Sequence, residues 1–159
     1  DSPNITPQAE FEKRLAEEKR LIDNMPFENE VGIIEGRYDY GEFLHISKGL
    51  ENCPEGGERC FKCYRLRLEE TARLAKEKGF DYFCTTLSIS PLKNAQKINE
   101  IGYEISGKYG VKWLPSDFKK KEGYKRSIEL SHQYDLYRQN FCGCAFSKKA
   151  SQEKEKNYE

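Results

Sequence analysis

Apolar residues recur with the period of an α-helix in four stretches of the chain. Thr6 and Pro7 offer a capping hydroxyl followed by a proline at the first helical position, and Gly79 and Gly110 follow two of the later stretches. The pattern predicts helices over about 7–22, 60–78, 94–109 and 123–134.

Short runs of apolar, aromatic and β-branched residues lie between these helices. They predict strands over 31–34, 81–86 and 111–114. Because strand and helix alternate, we expect an α/β fold with a mostly parallel sheet flanked by helices, Rossmann-like and of the layered HUP type. A single catalytic domain should cover 1–147, and the charged tail, 148–159, should fray because it lacks apolar anchors.

The overall charge gives no reason to expect tight binding to nucleic acid or lipid. The 159 residues include 27 basic and 27 acidic ones, so the formal net charge is zero. Contact with RNA therefore needs a local basic face. The densest basic stretch comprises Lys119, Lys120, Lys121, Lys125 and Arg126, and a solvated surface is the alternative for each of them. The chain contains no apolar run near the length of a membrane span and no leader, so we expect a cytoplasmic protein.

Four of the six cysteines occur as two close pairs. Cys60 and Cys63 lie one helical turn apart at a predicted helix start, where backbone N–H groups and the helix dipole stabilise thiolates. Arg59, Lys62 and Arg65 add positive charge nearby. Thiolate is the form that binds a metal, so this pair is a candidate metal site. A pair of ordinary helix cysteines is the alternative.

Cys142 and Cys144 are separated by one glycine, which allows the backbone to bend so that both sulfurs face the same way. A disulfide between them would close a small strained ring, and strain makes such a bond labile. The pair therefore suits electron transfer or metal ligation better than a structural cross-link, which is the alternative.

The spacing of the cysteines does not choose the metal. Four thiols also fit a structural zinc site, which spacing alone favours slightly over an iron–sulfur cluster. Cys84, inside a predicted strand, should be a small buried residue. Cys53 should be an ordinary loop thiol, with a spare metal ligand as the alternative. With only His45 and His132, a hydrolase triad has little support. The glycine motifs of dinucleotide and P-loop sites are absent, so ATP use is unsupported.

Three blocks of sequence resemble the QueH-type epoxyqueuosine reductases. The first reads Gly-Glu-Arg-Cys-Phe-Lys-Cys from Gly57, the second joins Thr-Thr-Leu to Ser-Pro-Leu-Lys-Asn, and the third ends in Cys-Gly-Cys. These blocks cover 57–69, 85–94 and 137–144, and further similarity lies in 3–7 and 114–120. The resemblance extends from near residue 1 to about Ser147.

This resemblance implies an oxidoreductase that removes the epoxide oxygen of epoxyqueuosine at the tRNA wobble position. The products are queuosine and water, in the last step of queuosine biosynthesis. It implies a four-iron four-sulfur cluster with Cys60 and Cys63 as ligands, and a redox-active dithiol formed by Cys142 and Cys144. Binding of an additional iron by that second pair is the alternative. The implied partners are tRNA carrying epoxyqueuosine and an unidentified electron donor, and we expect a monomer.

The resemblance also implies ligands that this chain does not include. Family members carry an amino-terminal strand followed by adjacent cysteines, and Asp1 corresponds to a position after that element. We therefore expect the first strand and its cysteine pair to precede residue 1. Neither His45 nor His132 lies in the Asp-x-His-x-x-Gly signature of cobalamin ligation, which favours a cobalamin-independent, iron-based route.

Substrate contacts are expected beyond the carboxyl end of the predicted strand 81–86. The candidates there match a family block and are Thr85, Thr86, Ser90, Lys93 and Asn94. Ordinary turn chemistry explains the serine and the asparagine equally well. Tyr124, Tyr137 and Arg138 are candidates for phosphate contact, base stacking or proton donation, with core packing as the alternative for the tyrosines. Two other functions remain open: a zinc-stabilised RNA-binding module without redox activity, and an RNA-modifying enzyme that uses ATP.

Overall fold

The computed structural model of the chain describes residues 2–156. Its helices and strands, in chain order, are α1 (Gln8–Asn24), α2 (Tyr40–Ser47), α3 (Glu58–Lys78), β1 (Tyr82–Phe83), α4 (Ala95–Tyr109), β2 (Lys112–Trp113), α5 (Gly123–Gln133) and α6 (Ala145–Lys156). Contacts divide the chain into two compact units. The first unit is His45–Ile128, and the second consists of Ser2–Leu44 and the described residues from Glu129 onward.

The first unit is built on a β-α-β arrangement. β1 and β2 pair in parallel, with Tyr82 opposite Lys112 and Phe83 opposite Trp113, and α4 is the connection that a parallel pair requires. The Phe83 and Trp113 rings face the same side and meet edge to face with centroids 5.0 Å apart. The predicted α/β class and the parallel pairing are therefore confirmed.

The core of the first unit lies between α3, α4 and the two strands. Leu68 and Ala72 of α3 pack with Ile98 and Ile105 of α4, all at most 1% exposed. Gly102 lets α4 approach the sheet closely, because a methyl group there would lie 2.3 Å from the Trp113 ring. This packing fixes the positions of the α3 start and of the loops that follow β1 and β2.

The helices predicted from periodicity are confirmed with shifts of a few residues. α3 ends at Gly79 and α4 ends at Gly110, both with positive φ, as expected for glycine after a helix. Asn94 caps the start of α4 because its side chain accepts a hydrogen bond from the Lys97 N–H. The short helix α2 was not predicted.

The predicted strand over 31–34 is wrong. No strand occurs there within residues 2–156, and Val31 and Ile34 are 42% and 54% exposed. An apolar run becomes a strand only where a neighbouring strand pairs with it, and none does so here. The other two predicted strands are shorter than expected. Cys84 is exposed rather than buried, because Phe83 faces the core and the next residue along an extended chain faces away.

The second unit contains α1, α2 and α6. Its amino-terminal residues Asn4 and Ile5 are buried, and Phe43 of α2, 1% exposed, has its ring centroid 6.2 Å from that of Phe146 in α6. The tail was predicted to fray, whereas α6 continues to Lys156, and residues 157–159 lie outside the described residues. Phe146 supplies an apolar anchor just before the charged stretch. The prediction of one domain over 1–147 stays a prediction.

Candidate redox and metal site

Cys60 and Cys63 lie in the first two turns of α3, as the sequence predicts. Cys63 is buried at 8% exposure and Cys60 is half-buried. The Gly56 N–H donates a hydrogen bond to the Cys60 sulfur over 3.3 Å. A backbone N–H and a helix amino terminus both favour negative charge on sulfur, so this position suits a thiolate.

The loop before α3 is held by charged side chains. Arg59, 5% exposed, donates from its guanidinium to the carbonyl oxygens of Leu50 (2.8 Å) and Glu51 (3.0 Å). Lys93 is buried at 7% exposure, and its ammonium lies 3.2 Å from a carboxylate oxygen of Glu55. Arg59 was expected to act through its charge on the thiols, and the structure shows it binding backbone carbonyls.

Cys142 and Cys144 occur together in the second unit, at the start of α6. The Ser147 N–H donates to the Cys144 sulfur over 3.4 Å, and the Cys142 N–H donates to the Ser147 hydroxyl oxygen over 3.0 Å. Cys144 is 7% exposed and Cys142 is half-buried, and none of the six cysteines, all among the described residues, forms a disulfide. Ser147 therefore contacts both members of the pair.

The glycine between these cysteines has a backbone that only glycine adopts readily. Gly143 has a φ of 122°, and a methyl group there would lie 2.9 Å from Ile5 and 3.1 Å from the Arg14 guanidinium. Arg14 donates to the carbonyl oxygens of Cys142 (3.1 Å) and Phe141 (3.3 Å), while the Thr6 N–H donates to that of Gly143 (2.9 Å). The backbone of the pair is thus fixed by residues from the other end of the chain.

Tyr40 of α2 lies near the second pair. Its ring is 5.6 Å from that of Phe43, and its hydroxyl oxygen is buried without a partner at hydrogen-bonding geometry. Burial raises the pKa of Tyr40, the Ala145 backbone N–H opposes this shift, and negative charge on Cys144 adds to it. A neutral phenol is therefore the favoured state beside these cysteines.

Three of the candidate substrate residues after β1 have side chains engaged in local hydrogen bonds. The Thr85 hydroxyl accepts from the Leu87 N–H (3.2 Å), the Ser90 hydroxyl accepts from the Leu92 N–H (3.3 Å), and Asn94 caps α4. Thr86 is exposed. Turn chemistry thus accounts for three of these side chains, and their contact with a substrate stays a prediction.

A partly buried network of polar side chains holds this loop. The Asn99 amide oxygen accepts from the Trp113 indole N–H and the Ser116 N–H, and its amide nitrogen donates to the Ser116 carbonyl. The fully buried Ser88 lies 3.1 Å, hydroxyl to hydroxyl, from Ser116. The segments that follow the two strands are thereby joined at the carboxyl end of the sheet, where ligands of α/β folds bind.

The two candidates after α5, Tyr137 and Arg138, lie in the second unit. The Tyr137 hydroxyl donates to the Glu10 carboxylate (3.2 Å), and the Lys13 ammonium lies 3.4 Å from the centre of its ring. Burial and the Glu10 charge raise the pKa of Tyr137. Arg138 is exposed and donates to the Ser131 hydroxyl over 2.9 Å.

Tyr124 and the basic stretch belong to the first unit. Tyr124 is 40% exposed, which leaves ring surface for a ligand. Lys119 and Lys120 pair with Asp117 at 2.8 and 3.6 Å, so part of the positive charge is balanced. Lys121, with Glu122, has a positive φ, a backbone strain that is concentrated at functional loops.

The donor chemistry of Cys60 and Cys63 fits two ligands of an iron–sulfur or zinc site. Both sulfurs lie on one helix start, and one already accepts a backbone N–H, as cluster sulfurs commonly do. Within residues 2–156, no three or more His, Cys, Asp and Glu side chains group in a way that holds a metal ion. The pair therefore fits part of a site. In the same described range, no helix is long and apolar enough to cross a membrane.

Sequence reasoning missed Arg14 and Ser147, which hydrogen-bond to the second cysteine pair, Tyr40, which lies near it, and Glu55, which pairs with Lys93 in the loop before α3. Arg14 and Tyr40 reach the second pair from more than one hundred positions away in the chain, so no local pattern marks them. Ser147 follows Cys144 at the spacing of a helix cap, and that spacing is a usable signal.

An α/β fold with two cysteine pairs at helix starts has the donor chemistry that metal-binding and redox proteins use. Comparison with known proteins specifies it further: the family described as epoxyqueuosine reductase QueH matches residues 1–150. The chain therefore belongs to the QueH family.

Curated relatives agree with this assignment. Epoxyqueuosine reductase QueH of Staphylococcus epidermidis is 43% identical over 152 residues, which cover 92% of this chain and 63% of the relative. The Streptococcus pyogenes protein of that name is 44% identical over 92% of this chain and 58% of its own length. The Thermotoga maritima protein is 37% identical over 92% of this chain and 76% of its own length. The chain thus spans about three fifths of the first two relatives.

Proposed function

We propose that this chain supplies the catalytic portion of a cytoplasmic, monomeric epoxyqueuosine reductase that acts on tRNA. The observation that carries the proposal is the Cys-Gly-Cys arrangement at the start of α6, in a chain that belongs to this family. Its two sulfurs lie close in sequence and form no disulfide, Ser147 donates an N–H to the Cys144 sulfur, and Arg14 fixes the intervening backbone. In its reduced form a dithiol is a two-electron donor.

The dithiol chemistry balances for epoxide removal. The two C–O bonds of the epoxide break and a carbon–carbon double bond forms. Cys142 and Cys144 lose their S–H protons and form one S–S bond, and the two protons leave with the oxygen as water. The substrate is reduced by two electrons, the cysteines are oxidised by two, and an electron donor restores the thiols for the next turnover.

In this proposal Cys60 and Cys63 would hold part of a four-iron four-sulfur cluster. A bound cluster supplies one-electron redox chemistry and Lewis acidity near the substrate. The chain's own contribution is a helix start that keeps the two sulfurs one turn apart and a Gly56 N–H directed at Cys60. The remaining ligands would come from the cysteine pair that the family resemblance implies before residue 1.

Substrate recognition would use the loops after β1 and β2 and the residues after α5. The candidates are Thr85, Thr86, Ser90, Asn94, Tyr124, Tyr137 and Arg138. Exposed Tyr124 suits stacking on a base, and Arg138 suits contact with a phosphate. The basic stretch from Lys119 to Arg126 would contact the tRNA backbone.

The test uses full-length protein purified without oxygen, reduced, and incubated with tRNA that carries epoxyqueuosine. Mass spectrometry of the nucleosides should show conversion to queuosine, and metal analysis should show iron and sulfide. Stoichiometric zinc without iron or sulfide, together with no conversion, would instead support a zinc-stabilised RNA-binding module. Product formation only when ATP is present would support an ATP-dependent enzyme.

A further inference from the structure

Lys93 was a candidate for substrate contact, yet the structure buries it. The residue is 7% exposed, and its ammonium lies 3.2 Å from a Glu55 carboxylate oxygen, whereas the Glu55 side chain is 34% exposed. A lysine is almost never fully buried without a partner, because removing its charge from water is costly. This lysine is therefore directed into the protein and towards the loop before α3.

Glu55 is the residue before Gly56, whose N–H donates to the Cys60 sulfur over 3.3 Å. An ion pair at one residue of a short loop restricts the direction of the next peptide group. Gly56 has a φ of 87° and lies at the third position of the Pro54–Gly57 turn, outside the helix, so the direction of its N–H depends on which turn conformation is adopted. The Lys93–Glu55 pair is thus placed to hold the Gly56 N–H towards Cys60.

The neighbouring contacts fix the start of this loop and close a turn at its end. Arg59 binds the carbonyls of Leu50 and Glu51 at the start of the loop. At its end, the Gly57 N–H donates to the Pro54 carbonyl over 3.1 Å and closes a turn with Glu55 and Gly56 as its central residues. Turns of either central-peptide direction share this hydrogen bond. The Lys93–Glu55 ion pair joins the turn to the segment after β1 and favours one of the two directions.

We infer that Lys93 is a positioning residue for Cys60: through Glu55 it holds the Gly56 N–H on the sulfur. The consequence for a bound cluster rests on the proposed function. A hydrogen bond to a cluster sulfur favours the more negative, reduced state, so losing it lowers the reduction potential. Lys93 acts through two other residues in this account and need not touch the substrate.

The first test is hydrogen exchange of the Gly56 amide in metal-free full-length protein. Lys93→Met should raise the exchange rate about tenfold, the factor expected for loss of one ordinary hydrogen bond. Lys108→Met is the matched control, because Lys108 also forms a lysine–glutamate pair between segments, with Glu69 at 2.9 Å, away from the cysteines. Glu55→Gln gives the same test with a half-exposed residue if the lysine variant does not fold.

A charge exchange makes the test specific. The double variant Lys93→Glu with Glu55→Lys should restore slow exchange at Gly56, while each reversal alone should not. In the loaded protein, Lys93→Met and Glu55→Gln should lower the cluster reduction potential relative to wild type and Lys108→Met.

Exchange at Gly56 that stays at the wild-type rate in both Lys93→Met and Glu55→Gln would overturn the inference. The exchange readout needs neither cluster nor substrate. Absence of reductase activity in the wild-type protein would therefore contradict the proposed function. The positioning of Cys60 would still be tested by hydrogen exchange at Gly56.

Discussion

The two cysteine pairs differ in how their sulfurs are held. Cys60 and Cys63 are part of a helix, so the helix itself sets their separation, and the preceding loop adds one N–H to a sulfur. Cys142 and Cys144 lie before a helix. Their backbone is held by Arg14, Thr6 and Ser147, and the Cys144 carbonyl also accepts the first helical hydrogen bond of α6 from the Lys148 N–H.

This difference suits different chemistry. A metal ligand pair must keep its geometry when the electron count changes, and a helix does this without further support. A dithiol must bring its two sulfurs to bonding distance when it is oxidised, and here tertiary contacts set the backbone that carries them. The separation of the first pair is thus set within a helix, whereas the backbone of the second pair is set by residues distant in sequence.

The largest expected effect comes from removing a sulfur of the second pair. Cys144→Ser cannot form the S–S bond, so turnover should fall by at least about a hundredfold, while iron content stays at the wild-type level. Nucleoside mass spectrometry and iron analysis on the same preparation check this. Cys84→Ser, which changes an exposed cysteine of the first unit, should retain activity. Full turnover in Cys144→Ser would show that the second pair does not supply the electrons.

The next effect concerns the first pair. Cys60→Ala should lose most of the iron and sulfide, because a cluster bound by three thiolates is held far less firmly. Iron and sulfide assays on anaerobically purified protein measure the loss. The control is Cys53→Ala, which removes a loop thiol near the same helix start and should keep the metal. Wild-type iron in Cys60→Ala would show that the ligand assignment is wrong.

Substitution of Gly143, the positive-φ glycine of the second pair, should have a smaller effect. Gly143→Ala should lower the free energy of unfolding by about 1–3 kcal/mol, because a side chain is strained at this φ and approaches Ile5. Urea unfolding followed by circular dichroism measures the change. Gly32→Ala in the same unit meets nothing within 4 Å and should not destabilise. Equal midpoints for the two variants would mean that the glycine is not required.

The smallest effect is a pH dependence of stability in the second unit. Hydrogen bonds from the Arg20 side chain and the Tyr137 N–H lower the pKa of Glu17 from 4.5 to about 2. A lowered folded-state pKa stabilises the fold above the unfolded value, and this stabilisation is lost as pH falls from about 4.5 towards 2. Melting temperature should therefore fall more steeply over that range in wild type than in Glu17→Gln. Glu18→Gln, on the exposed face of α1, should follow wild type.

Much of the first unit was predictable, because its elements are marked by short sequence patterns. Helical periodicity with a glycine after the last turn marks α3 and α4, and the alternation of those helices with short strands marks the parallel pair. The spacing of the cysteines marks both pairs. These signals lie within a few residues of the feature that they predict.

The remainder depends on contacts that sequence order hides. Residues 31–34 have strand-like composition but no partner strand, and the buried position of Lys93 follows from Glu55, 38 residues earlier. The guanidinium of Arg14 reaches a carbonyl 128 residues away. No local pattern contains such information, so the support of the second pair became visible only in the folded chain.

The central claim is that Cys142 and Cys144 supply the electrons while Cys60 and Cys63 keep their ligand role. Reduced full-length protein, freed of excess reductant, is given one equivalent of tRNA carrying epoxyqueuosine, and each cysteine is then assigned as thiol or disulfide by differential alkylation and mass spectrometry. We expect one Cys142–Cys144 disulfide for each queuosine formed, with Cys60 and Cys63 unchanged. Queuosine formed while Cys142 and Cys144 remain thiols would contradict it.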